Sequence, residues 1–483
     1  MLQNKSNKIL SEISSFFTSS EKGVLKTIEL FKVLNLSNIK LCIVDFNQAF
    51  YKKESVLLIL LLFPLFSVKN IRQAMQNRLT GYFDAKKDVY YRFKNNPLIN
   101  WRRVLSTVNR RLFKSIDKSS ETKKTNLIKC LIIDDTDLEK SGKYIEHISR
   151  IWSHVFHRHI LGFKGLFIGY WDGKSFFGLD FSLHKEKGKN KKSPFGFKPT
   201  QLKKQYKKKR EKTAPGYKRV SELLIKKTDN AISLIKKVLR TDLVVDYILM
   251  DSWFVNDKMI KFVKNIKGEV HLIGMLKNGN SKYIFQQNEL TAKQIANKLQ
   301  KRKKVKRVRS LNMYVGESVL TYKGSEIKVF FCKTSKRGKW HLLVSTNTAL
   351  SIEVAYRIYS NRWSIEVFFK ECKQYFGLGK SQSQDFDGQI ADITMNMVQY
   401  NLLSAAKRFV SYETMGQLFQ NLQDNMRELT ISEKIWGFIL ELLQIVADIF
   451  NSDFNELIIN ILKSDEKENR LVNLIEHSHL KAA

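Results

Sequence analysis

Apolar positions along the chain change their spacing several times, and each change marks an element boundary. Residues 1 to about 105 show helical spacing without strand-like alternation, which predicts a helical N-terminal region. Its most apolar stretch, Val56 to Phe66, is short for a bilayer span and is interrupted by Pro64, so it reads as a buried helix. From Leu127 the pattern switches: LIKCLIID is a short apolar run with strand propensity that stops at acidic residues. HILGFKGLFIGYWDGKSFFGLDFSLH follows as two strands joined by Trp171-Asp172-Gly173-Lys174, because Asp-Gly favours the positive φ of tight hairpin turns. Further on, a helical stretch, VSELLIKKTDNAISLIKKVL, leads into the strand LVVDYILMD and the helix SWFVNDKMIKFVKNI. Strand, hairpin, helix, strand, helix predicts a mixed α/β sheet with helical layers.

Two stretches break that rhythm. Between Glu269 and Thr346 the pattern is mainly β, with VHLIGML, SVLTYKG, IKVFFCKT and HLLVST around a helical ELTAKQIANKLQ, and it reads as an insertion. Residues 185–219 hold 15 Lys and Arg against two Glu, a composition from which no core is expected and whose order without a polyanion is in doubt. A long helix is predicted over Ser351 to Phe376, and the remainder from Gln384 is helical, GFILELLQIVADIF being its most apolar part. The expected divisions are therefore a helical 1–105, an α/β segment 106–268 carrying the basic insertion 185–219, a β-rich insertion 269–348, a helical 349–383 and a helical 384–483.

Charge changes what this fold is expected to touch. The 84 Lys and Arg against 46 Asp and Glu leave a net charge of +38, far beyond what solubility requires, and a large polyanion is the natural partner. Nucleic acid fits better than anionic membrane, since no basic amphipathic helix or lipidation signal is evident. KRKKVKRVR, residues 301–309, has seven basic positions in nine, and with 185–219 it carries 20 of the 38 net charges. Tyr90, Tyr91, Phe93 and Trp101, set among Lys and Arg, suit either tracking a DNA backbone or facing a core. The cysteines Cys42, Cys130, Cys332 and Cys372 stand alone, without paired zinc or redox spacing, and suit a reducing compartment. With no signal peptide visible in MLQNKSNKILSEISS, a cytoplasmic location is expected.

Candidate chemistry is concentrated on the predicted long helix. Tyr359, Arg362, Glu366 and Lys373 are offset by 0, 3, 7 and 14 positions, which at roughly 100° per residue puts them within one stripe about 60° wide. A polar stripe of this kind is either a site or a solvated face with helical ion pairs. The spacing Tyr-x2-Arg-x3-Glu-x6-Lys, read here as YSNRWSIEVFFKECK, resembles the YREK signature of bacterial insertion-sequence transposases of the insertion sequence four family.

That resemblance implies a ribonuclease H-like core with an Asp, Asp, Glu triad. It assigns the first acid to Asp135, immediately before Thr136 in LIIDDTDLEKSGK, with Asp134 as the adjacent competitor and Asp137 a supporting acid. It assigns the second to Asp251 in LMDSWF, ahead of Asp246, and the third to Glu366. Three carboxylates suit two Mg²⁺ or Mn²⁺ ions, which prefer oxygen ligands and allow in-line displacement at phosphorus without a protein nucleophile. Arg362, Lys373 and Tyr359 would grip a DNA phosphate, and Trp340 matches the family's Trp that stacks on an extruded base; a core position for Trp340 is the alternative.

The implied activity is cut-and-paste transposition: nicking at transposon ends, hairpin formation and opening, and strand transfer by a homodimer on DNA. The N-terminal helices are expected to bind DNA and the C-terminal ones to dimerise, with no organic cofactor and no membrane. An endonuclease without strand transfer and a non-catalytic DNA-binding derivative are the alternatives. His154, His157 and His159 in SHVFHRH lack the partners of a zinc site, and a basic strand facing DNA is the simpler reading.

Overall fold

A computed structural model describes residues 53–64, 70–76, 85–119, 127–409 and 414–424. The N- and C-terminal regions assigned to DNA binding and dimerisation fall largely outside these residues, including GFILELLQIVADIF. Helices α1 (Lys53–Leu62), α2 (Lys87–Lys94) and α3 (Trp101–Ser119) precede the first strands, β1 (Cys130–Glu139), β2 (Ser149–Ser153), β3 (Arg158–Trp171) and β4 (Phe176–His184). Helix α4 (Lys227–Val238), β5 (Tyr247–Met250), α5 (Asp257–Lys264) and β6 (His271–Leu276) follow. Next come β7 (Lys282–Phe285), β8 (Asn288–Thr291), α6 (Ala292–Lys301), β9 (Lys306–Val308), β10 (Met313–Tyr322), β11 (Ser325–Lys333) and β12 (His341–Ser345). Helices α7 (Ile352–Ser360), α8 (Trp363–Glu371) and α9 (Phe386–Phe409) complete the labelled elements.

Among the described residues all twelve strands form one mixed sheet in the order β2-β3-β1-β5-β6-β12-β11-β10-β7-β8, with β4 on β3 and β9 on β10. Only β1 with β5 and β5 with β6 run parallel. Parallel strands need cover on both faces, and β1 shows how it is met. Cys130 and Ile132 enter the core shared with α3, α8 and α9, while Leu131 and Ile133 enter the core shared with α4, α5 and α6. The strands of 269–348 do not build a separate sheet, because β12 pairs with β6 and β6 with β5.

Other expectations are altered. Strand β1 does not stop at its acids but continues to Glu139, because β3 is long enough to pair with all ten of its residues. The long helix is broken at Asn361 and Arg362 and ends in a π turn over Cys372–Phe376. Tyr90, Phe93 and Trp101 are buried, taking the core reading, and Phe93 meets Trp101 edge-on at 5.7 Å; Tyr91 is exposed. The Asp172-Gly173 hairpin forms as expected: Gly173 has φ +95°, and the Asp172 carboxylate accepts from the amides of Lys174 and Ser175 at 2.9 and 2.7 Å.

The basic segment 185–219 is pinned rather than free. Arg210 donates to both oxygens of Glu146 (2.7 and 2.6 Å) and to Asp387 (3.0 Å), while Lys208 reaches Asp385 (2.8 Å) and Asp387 (3.0 Å). Phe197 and Ala214 are buried, and Arg219 lies over the Phe181 ring.

His184, the last residue of β4, is held by two oxygens. Its Nδ1 lies 3.0 Å from the Ile225 carbonyl, so Nδ1 carries the proton and Nε2 accepts from the Ser182 hydroxyl at 2.9 Å. Burial pulls this imidazole down from 6.5 to about 4. A depressed folded-state value means that only the unfolded chain takes up the proton between those two values. Stability is therefore fully present above pH 6.5 and falls as pH drops towards 4. Urea midpoints measured across that window should decline, and His184→Gln should flatten the decline.

Candidate active site

The site begins with register. Ile133 of β1 is the parallel partner of Met250 of β5, so the next residues, Asp134 and Asp251, lie side by side at the carboxyl end of β5. Side chains alternate along a strand, and the adjacent acids of β1 consequently point to opposite faces. Asp134 faces α8, where it accepts from Arg362 Nη1 at 2.9 Å. Asp135 faces α4 and pairs with Lys227, that helix's first residue. Thr136 returns to the face of Asp134, and its hydroxyl accepts from Lys373 Nζ at 2.7 Å. Asp137 pairs with Lys164 of β3.

Arg362 joins these acids to the signature helix. Its Nη2 donates to Glu366 Oε1 at 2.5 Å, so one guanidinium bridges Asp134 and Glu366. The Tyr359 ring lies 5.8 Å from that guanidinium. Tyr359, Arg362, Glu366 and Lys373 thus come together around the β1 acids despite the helix break, since Asn361 and Arg362 in the break keep helical backbone angles.

Electrostatics marks the same place. Burial, and after it the Asp251 charge, push the Asp134 carboxyl up to about 7. Burial, and to a lesser degree the Asp135 charge, also raise Asp251, against the opposing effect of the Trp253 amide, which donates to its carboxylate at 2.9 Å. Desolvation pushes the Tyr359 hydroxyl up to about 12 and lowers Lys373. Groups perturbed in this way at a strand end suit a functional site, as they do a structural ion-pair network.

Among the described residues no three His, Cys, Asp or Glu side chains are gathered closely enough to hold a metal ion, and the histidines of SHVFHRH are no exception. The donor chemistry nevertheless fits a hard divalent cation. Asp134 and Glu366 already share one cation, the Arg362 guanidinium, and Asp251 lies alongside.

Trp340 is the tryptophan that the family resemblance assigns to base stacking. It precedes β12, packs partly against the second core, and has Lys333 Nζ 4.3 Å above its ring. An exposed aromatic beside the acids is Trp253, 48% exposed, with Lys277 at 4.1 Å and Lys227 at 5.2 Å from its ring centre. Neither Trp253 nor Lys227 stands out from sequence spacing; the only signal for Trp253 is its place two residues after Asp251.

Comparison with known proteins bears on this arrangement. Residues 225–402 match the family model described as the transposase DDE domain, a span that holds Asp251, Arg362, Glu366 and Lys373 and begins after the β1 acids. No curated protein matches. Among solved structures the chain is similar to the piggyBac transposase synaptic complex with hairpin DNA, at 11% identity over 83% of this chain and 79% of that one, with a TM-score of 0.41.

Proposed function

With a transposase DDE domain matched over residues 225–402 as the premise, we propose that the chain is a DNA transposase performing metal-dependent cut-and-paste transposition of an insertion sequence. The observation that carries this reading is the single guanidinium of Arg362 bridging Asp134 and Glu366 beside Asp251. An acid set on two parallel strands and a helix, backed by Arg and Lys, is the equipment for phosphoryl transfer on a polyanion, and the mixed sheet accords with a ribonuclease H-like core.

Asp134, Asp251 and Glu366 would hold two Mg²⁺ or Mn²⁺ ions, which supply activation of a water or 3′-hydroxyl and stabilisation of the departing oxygen. The protein's own groups do the rest. Arg362 is released from the acids to grip a phosphate, Lys373 adds a second positive charge on the same helix face, and Tyr359 offers a hydroxyl. The net charge of +38 supplies affinity for the duplex that falls steeply as salt rises. A homodimer holding both element ends belongs to the same reading. Incubating the chain with duplexes carrying the element's own ends should give nicks, hairpins and joined strands with Mg²⁺; cleavage without hairpins or joined strands would leave only an endonuclease.

The motif resemblance favours Asp135 as the first ligand, whereas the geometry favours Asp134, which shares the face of Glu366. Asp134→Asn is expected to lower cleavage at least about a thousandfold, some 4 kcal/mol of barrier. Asp135→Asn, which removes the partner of Lys227, is expected to cost about tenfold or less. The reverse ranking of the two rates would return the first ligand to Asp135.

A further inference from the structure

The β2–β3 hairpin extends past the rest of the sheet. The last β1 residue to pair with β3 is Glu139, opposite Gly162, so Arg158–Leu161 and the β2 residues facing them form a two-stranded projection. Its inner face is buried through Ile151 and Ile160. The basic segment braces β2: the Trp152 amide donates to Glu186 at 2.9 Å, and Gly196, at φ +77°, leaves room for the Arg150 side chain, which any Cβ would meet at 2.7 Å. The projection is therefore presented rigidly.

Its end is unlike an ordinary solvated turn. Residues 154–159 are all exposed, Val155 at 79% and Phe156 at 51%, and Trp152 is exposed against His159, with ring centres 5.1 Å apart. Around these apolar groups stand Arg150, His154, His157, Arg158 and His159, with no acid between residues 150 and 159 and Glu186 bound at the Trp152 amide. A second copy of the same end would be repelled by it, whereas a polyanion with an apolar interior would not. Duplex DNA has that character, with phosphates outside and sugars and base faces within.

Register also sets its reach. Leu166 stands opposite Asp135, and Phe156 lies ten residues beyond Leu166 on the carboxyl side of β1. At about 3.3 Å per residue the tip is at most ~33 Å from the acids, roughly ten base-pair steps of duplex.

We propose that the β2–β3 hairpin is a DNA-binding arm whose Val155 and Phe156 wedge against sugars and base faces, flanked by phosphate contacts from Arg158, within about one helical turn of the scissile phosphate. The inference rests on the reading of the chain as a DNA-acting enzyme and adds to it a second contact surface with a defined reach.

The test uses the full chain and a duplex of roughly 30 base pairs, about three helical turns, carrying 2-aminopurine at successive positions within one turn of the cleaved phosphate. Wild-type protein should raise 2-aminopurine fluorescence at one or two of those positions as stacking is disturbed. Phe156→Ala should abolish that rise and weaken binding about tenfold with the salt dependence unchanged, while Arg158→Ala should reduce the slope of log affinity against log salt by roughly one. Both side chains are exposed, so folding is not at stake. Duplex binding and fluorescence that Phe156→Ala leaves unaltered would overturn the arm while leaving the transposase reading intact. Loss of self-association in place of DNA affinity would also overturn it, in favour of a contact between copies. A chain that binds no duplex at all would overturn both.

Discussion

Glu366→Gln should abolish Mg²⁺-dependent strand cleavage, a fall of at least about a thousandfold or ~4 kcal/mol of barrier, while duplex affinity and thermal stability stay close to wild type. Glutamine keeps the shape of the side chain and an oxygen able to accept from Arg362 Nη2, so the local structure survives. What it loses is the negative charge that a divalent cation requires of this position. Glu366 lies in the first turn of α8 and is not part of a packed interior, which keeps the stability cost small. Asp251→Ala removes the neighbouring acid and should give the same loss. Gel-resolved cleavage of a labelled element end, run beside an anisotropy titration with the same duplex, separates chemistry from binding; undiminished cleavage by either variant refutes the proposed site.

The largest effect on folding is expected at a residue with no part in the chemistry. Arg210 is almost wholly enclosed and binds Glu146, Asp387 and, at 3.6 Å, Asp385. Arg210→Ala leaves these acids clustered in the interior with Lys208 as the remaining cation reaching Asp385 and Asp387. Breaking a buried ion pair by removing one partner costs roughly 3–5 kcal/mol, more than the pair itself contributes relative to apolar groups, because an uncompensated charge stays behind. Urea unfolding should show a correspondingly lower midpoint, and lowering the pH to protonate the stranded acids should recover part of the difference. A midpoint within about 1 kcal/mol of wild type, the range of an exposed pair, would mean that the cluster is open to water. The comparison also tests whether segment 185–219 is ordered without DNA, since Arg210 ties it both to the loop after β1 and to the start of α9.

How far these features were legible in the sequence depended on the range of the interactions that make them. Local chemistry was readable: the Asp172-Gly173 turn, the apolar start of β1 and the grouping of Arg362 with Glu366 each follow from residues a few positions apart. The end of β1 was not, because the strand continues through its acids only by virtue of the length of β3. The break at Asn361 left no Pro or Gly to announce it. Pinning of the basic segment depends on Glu146, Asp385 and Asp387, which are distant in sequence and individually unremarkable. The motif resemblance assigns Asp135 rather than Asp134 as the first ligand, and which of the two faces the helix is visible only in the alternation of a strand locked between two neighbours.

That locking makes the site a matter of counting. Ten residues of β1 are paired with β3 and four with β5. Sliding β1 by one position against both neighbours would exchange the two faces of the strand, carrying Asp135 or Ile133 to the place beside Arg362 and sending Asp134 towards Lys227. The same slip would push Ile132 and Leu131 into each other's cores, so the packing beneath the acids polices the arithmetic above them. Inserting one residue between Ile133 and Asp134 is therefore a change of active-site composition achieved without substituting any acid.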